Sequence, residues 1–384
     1  MKDLGDIAAL CLPFTAGAAA GAALAGAAGG GAAGAALAAA AGFLAFVSLR
    51  RRTGILPYCI LFFLLGLFCS LSSWLRPNGG PGPLANLISS TLGGLRHLIG
   101  SLPVKSDTAR GLILALLTGD RSGLTAEQTA AFRASGASHI LALSGLHLGV
   151  IYLIVSRLLS VFGNSIPARR VRRVLTILLA GWYTLATGAG PSIVRAFLFI
   201  LIHETCAMFP ERRTSPVRTL LMALTIQLAL APQVITSLGF QLSYLAMTGI
   251  VVLYPRLAAW YPTDNEAGPI SAATVVATAS SAGLIMTAWD RTAGRILRRI
   301  WQGTALAVSC QIFTAPLVWI RFHSFPKYFI ITNLLALPLT SALMTVSVAA
   351  LALQGLGGCP PLLASAVDLL ASALLFVLDV ISGL

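Results

Sequence analysis

GDRSGLTAEQTAAFRASGASHILALSGLHLGV, residues 119–150, is the stretch around which the rest of the chain is arranged. It opens polar, with Asp120, Arg121, Glu127, Gln128 and Arg133, and passes Gly136. It then enters an apolar run that still carries His139, Ser144 and His147. On one helix at about 100° per residue, Ser138, Ala142, Gly145 and Gly149 fall on a single narrow face. Small residues at that spacing let a second helix backbone come close, so these four read as a packing seam. His147 points to the opposite side, with Ser144 about 60° away. The stretch therefore reads as a charged approach outside a membrane that leads into a two-faced span over 138–162.

The whole chain supports a membrane. Of its 384 residues, 57% are hydrophobic and 10% charged, whereas a soluble domain is about a quarter charged. The length allows for about 10–11 spans of roughly 20 residues. The expected fold is an all-α, polytopic integral membrane protein with broken or re-entrant segments. A net charge of +14 must then sit in loops and ends. The six cysteines are scattered through apolar runs without a CxxC pair, as small buried hydrophobes are. The start, MKDLGDIAAL, has one Lys, two Asp and no cleavage signal, so the first apolar run reads as a retained span.

Taken in order, residues 6–48 are Ala, Gly and Leu, with Gly29-Gly30-Gly31 as a turn between two short spans. Residues 55–75 form a third span. Residues 76–137 hold no run long enough to cross; 84–100 and 109–119 read as short interfacial helices. Further spans follow at 174–190, 192–209, 217–231, 235–255, 301–320, 329–354 and 361–382. The Ala-, Ser- and Thr-rich run 271–289 reads as interfacial or re-entrant. Most of the 26 Lys and Arg lie in Arg50–Arg52, 167–173, 211–218 and 291–299. These clusters fall on one side in this topology, which makes that side cytoplasmic and places 76–137 outside.

Soluble-enzyme motifs are missing: there is no Walker A, GxSxG or HExxH. His139 and His147 are about 80° out of alignment on a helix and have no carboxylate nearby, so no metal and no cofactor are expected. Polar groups at membrane depth need a partner or a wet path. Arg195 follows a helix break at Gly188, Gly190 and Pro191. It either snorkels to a carbonyl or joins the freed N–H groups of the next helix in holding an anion such as phosphate. Glu204 on the same helix reads as neutralised by Arg212 or Arg213. Ser237, Gln241, Tyr244 and Thr248 form a polar seam, either interhelical hydrogen bonding or the wall of a wet path. The Tyr244 ring is of a kind that stacks on bases. Gln311 precedes Pro316, and Asn333 precedes Pro338; each pairs an amide with a helix breaker.

Four stretches, residues 119–150, GAGPSIVRAF (188–197), SLGFQLSYLAMTGIVVLYP (237–255) and SCQIFTAPLVWIRFHSFPKYFIITNLLALPL (309–339), resemble the ComEC competence family in order and content. The resemblance implies an inner-membrane channel that passes single-stranded DNA into the cytoplasm during transformation. It divides the chain into N-terminal membrane helices (1–75), an extracytoplasmic amphipathic segment (76–137) and a channel domain (138–384). The candidate DNA path is Arg121, Arg133, His139, Ser144, His147, Arg195, Gln241, Tyr244, Gln311 and Asn333. Many members of that family also carry an OB-like domain and a metallo-β-lactamase-like nuclease domain. Residues 76–107 are too few for the first and no metal-ligand cluster marks the second, so no enzyme activity is expected. A separate nuclease and a cytoplasmic helicase are the expected partners, beside single-stranded DNA and the lipid bilayer. The readings held against this are a transporter for another anionic solute and a membrane scaffold for DNA-processing proteins.

Overall fold

The structure, a computed structural model, describes residues 11–21, 63, 66, 83–163, 165–208, 215–260, 281–323 and 327–383. Every regular element among them is a helix, as the composition requires. They are α1 (Cys11–Gly21), α2 (Pro83–Gly100), α3 (Asp107–Thr118), α4 (Ala126–Ala134), α5 (Ser138–Leu141) and α6 (Gly145–Leu158). There follow α7 (Ile166–Ala186), α8 (Pro191–Met208), α9 (Pro216–Leu230), α10 (Leu238–Val252) and α11 (Tyr254–Ala258). The chain closes with α12 (Ser281–Phe322), α13 (Phe329–Gly355) and α14 (Pro361–Ser382). The hairpin read in 6–48 and the span at 55–75 lie largely outside the described residues. So does 271–280, whereas 281–289 opens the long helix α12.

Among the described residues, four helical segments are long and apolar enough to cross a membrane: α8, Leu297–Phe322 of α12, α13 and α14. α9 and α10 have 15 residues each, a rise of about 22 Å against a hydrocarbon core of about 30 Å. Hydropathy reads them as spans, but neither reaches across alone. A 3₁₀ turn, Pro232–Thr236, joins them.

The largest change to the sequence reading is at 76–137. α3 is a core helix, not an interfacial one. Leu112, Ile113, Ala115, Leu116 and Leu117 are buried in one cluster with Leu343 and Met344 of α13 and Val367, Ala371 and Leu374 of α14. Its N-terminus is held from a distant part of the chain. Asp368 of α14 accepts the backbone N–H groups of Lys105 (3.1 Å) and Ser106 (3.2 Å). A carboxylate inside an apolar helix thus satisfies helix-entry donors that apolar packing would leave unpaired. Asp120, in the loop after α3, accepts the Ser122 N–H at 3.1 Å and pairs with Arg96 at 3.0 Å. The Ser122 backbone, its hydroxyl and then Arg96 hold this carboxyl below the ordinary range.

α8 packs on α6, α7, α9 and α10, and α10 packs along α12. The α10–α12 seam is a backbone approach. A Cβ added to Gly249 would lie 2.2 Å from the Ser309 carbonyl oxygen. Gly249→Val is therefore expected to separate the two helices and lower the thermal unfolding midpoint in detergent by several degrees, as overpacking of about 1–3 kcal/mol does. An unchanged midpoint would show that the seam yields at no cost.

Candidate functional site

The site is built around the break between α7 and α8. Helix α7 ends in a Schellman motif. Gly188, at φ +84°, donates to Leu185 O (3.0 Å), and Ala189, at φ +49°, donates to Thr184 O (2.9 Å). Gly188 serves this left-handed position because it has no Cβ. Pro191 then opens α8, where its missing N–H costs nothing. The expected break at Gly188, Gly190 and Pro191 is thus a defined turn that starts a new helix.

One helical turn later Arg195 is buried, with 8% of its surface exposed. Its Nε has no hydrogen-bond partner, and no carboxylate pairs with it among the described residues. Its guanidinium carbon lies 5.9 Å from the centre of the Phe199 ring. Gly145 of α6 makes room for it: a Cβ there would stand 2.9 Å from Arg195 Nη2 and 3.4 Å from the Ala196 Cβ. Tyr244 of α10 and Cys310 of α12 are close enough to interact electrostatically with it. Four helices therefore meet at one cation. Beside it runs a chain of hydrogen bonds between helices. The Tyr244 hydroxyl donates to Gln227 Oε1 (2.9 Å), and Gln227 Nε2 donates to the Pro191 carbonyl (3.0 Å). Gln227 thus ties α10 to the first turn of α8.

The stretch 138–162 is not one helix. α5 ends at Leu141, Ala142 is extended (ψ 127°), and α6 begins at Gly145. The expected seam dissolves with the break: Ser138 and Ala142 are exposed, and nothing stands within 4 Å of a Cβ on Gly149. Only Gly145 packs, and it packs against Arg195. Ser144 and His147 do not face outward together either. They form a capping box: Ser144 Oγ accepts the Leu146 N–H (3.2 Å), and His147 Nδ1 accepts the Ser144 N–H (3.1 Å). Its Nδ1 accepting fixes the ring proton on Nε2. That atom is buried without a hydrogen bond of good geometry, although the Ile140 backbone lies beside the ring.

The other candidates separate. Tyr244 has no open face for a base, because its ring is buried and packs tilted on Phe240 at 4.6 Å. Its companions in the seam bond locally. Ser237 Oγ caps α10, Gln241 donates to Ile235 O (2.9 Å) and Thr248 to Tyr244 O (2.8 Å). Arg121 donates to Leu141 O (3.1 Å) at the α5 end, and Arg133 is exposed on α4. His139 is exposed, with Nδ1 3.2 Å from Gly136 O. Gln311 and Asn333 are half-buried on α12 and α13. Glu204 pairs with Arg173 (3.5 Å), and Tyr152 donates to it at 2.5 Å. Its expected partners Arg212 and Arg213 lie outside the described residues.

Sequence reading missed Gln227, a lone amide in the apolar run of α9. The rule that drew attention to Arg195, a polar group at membrane depth, applies to it equally.

The family model described as "Competence protein" matches residues 116–384, from the end of α3 through α14. The chain belongs to the competence protein family. The chain is similar to ComE operon protein 3 of Bacillus subtilis (strain 168), 28% identical over 142 residues, 37% of this chain and 18% of that protein. An uncharacterized protein of Aquifex aeolicus (strain VF5) is 29% identical over 186 residues, 47% of this chain and 40% of that one. The match thus spans less than half the length of either relative. No solved structure matches this competence protein.

Proposed function

We propose that this competence protein crosses the bacterial cytoplasmic membrane many times and forms the channel through which single-stranded DNA enters the cytoplasm. The observation that carries this reading is Arg195, a cation buried at a helix break with no carboxylate beside it among the described residues. A mid-membrane Arg costs about 2.5–3.5 kcal/mol on insertion scales. That cost is offset when the charge meets an anion in transit. A phosphodiester strand supplies one per nucleotide, and the planar guanidinium fork matches its oxygens. His147 Nε2, buried without a hydrogen bond of good geometry, lies two residues from Gly145, on the helix that packs against Arg195. The chain carries out no chemistry on the strand in this reading. A separate nuclease prepares single strands and a cytoplasmic helicase draws them in.

The test is deletion of the gene in a transformable host. DNA bound at the cell surface should stay unchanged, while DNA protected from added nuclease disappears and returns with the gene. Protected DNA at the undeleted level would refute the channel. Uptake of small anions by liposomes bearing the purified protein, unaffected by single-stranded DNA, would favour a transporter for another anionic solute.

A further inference from the structure

A second charged cluster lies away from Arg195, where the C-terminal halves of α6 and α8 meet the N-terminal half of α7. A cavity of about 200 Å³ opens there, lined by Tyr152, Ser156, Arg172, Arg173, His203 and Glu204. Both Glu204 oxygens are engaged, one by the Tyr152 hydroxyl and one by Arg173 Nε. Arg173 also donates to the Ala207 carbonyl. Glu204 is the sole carboxylate on these three helices, so its charge is consumed by Arg173. Arg172 and His203 remain on the cavity wall with no acid paired to them among the described residues.

We propose that this cavity binds the phosphate of an anionic phospholipid headgroup. Arg172 supplies a forked donor, with His203 and the Ser156 hydroxyl completing a compact donor set for phosphate oxygens. The surroundings favour a lipid over a free phosphate. Arg172, Leu175 and Leu179 are spaced i, i+3 and i+7, so they share one stripe of α7, and both leucines are exposed. An acyl chain has an apolar track leading away from the charge. Arg157, Arg169 and Arg170, within a helical turn of the lining residues Ser156, Arg172 and Arg173 along the chain, are exposed. The positive-inside rule places these at the cytoplasmic interface, where anionic headgroups gather. The three helices are thus gripped from within by Glu204 and from without by lipid.

The test uses the full chain purified in neutral detergent. Phosphatidylglycerol, phosphatidylcholine, inorganic phosphate and a single-stranded oligonucleotide are titrated separately, and the thermal unfolding midpoint is read. Phosphatidylglycerol should raise the midpoint and phosphatidylcholine should not. In Arg172→Gln the concentration for half the effect should rise roughly tenfold, the order of one charge-assisted hydrogen bond. His203→Gln should raise it less, and Arg169→Gln, an exposed charge off the cavity, should leave it near wild type. Equal loss in Arg169→Gln would mean surface charge alone and overturn the site, as would an unchanged Arg172→Gln. Stabilisation by inorganic phosphate equal to that by phosphatidylglycerol would overturn the lipid assignment. So would an oligonucleotide effect lost in Arg172→Gln.

Discussion

Arg195→Gln is expected to cut the entry of labelled DNA by roughly 10- to 100-fold, the equivalent of one lost charge-assisted contact per phosphate. The protein itself should be no less abundant. Gln keeps much of the length and some hydrogen bonding but removes a charge that is 8% exposed and has no carboxylate partner among the described residues. Relieving a buried unpaired charge stabilises a membrane helix or leaves it unchanged. A merely structural arginine would show the opposite, with abundance and uptake falling together. Arg195→Lys keeps the charge without the fork and should fall between the two. Gly145→Val is the independent check, because its Cβ arrives 2.9 Å from Nη2 and displaces the guanidinium while leaving it present. Uptake at the wild-type level in both Arg195→Gln and Gly145→Val would remove Arg195 from the path.

Arg173→Gln should destabilise the fold more than any other loss of a basic side chain from the Arg-rich start of α7. Glu204 is buried, and its salt bridge with Arg173 joins α7 to α8, while Tyr152 joins α6 to the same carboxylate. Removing one partner of a buried pair leaves an uncompensated charge. Arg173 retains 26% side-chain exposure, so the cost is set at about 2 kcal/mol, below the figure for a fully buried pair. Thermal unfolding in detergent should show a midpoint lowered by several degrees. The double variant Arg173→Gln with Glu204→Gln should recover much of it, since no buried charge is then left without its partner. A double variant no more stable than Arg173→Gln would mean that the arginine acts through packing of its stem.

Much of the helix pattern was legible because hydrophobic runs and their Gly, Pro and Arg boundaries are local signals. Expected spans at 192–209, 329–354 and 361–382 became Pro191–Met208, Phe329–Gly355 and Pro361–Ser382. The turn between α7 and α8 is likewise local, since Gly188 and Pro191 act within their own turns. The small-residue seam read wrongly, because the non-helical residues Ala142–Ser144 end the phase that places Ser138 and Gly149 on a common face. Hydropathy likewise placed α3 at an interface. Nothing local to Asp107–Thr118 reveals that α13 and α14 will cover it, or that Asp368 will cap it.

The sequence by itself determined that this is an all-α membrane chain, that it shares the ordered stretches of the competence family, and that a cation follows a broken helix. Each of those rests on composition or on neighbours within a few residues. The tertiary structure decided what each polar group meets. It set Gly145 against Arg195, Gln227 between Tyr244 and Pro191, and Arg173 beside Glu204. The reason is physical. At membrane depth a side chain's role is fixed by the helix that happens to face it, and facing is a property of packing that no spacing along one chain segment encodes.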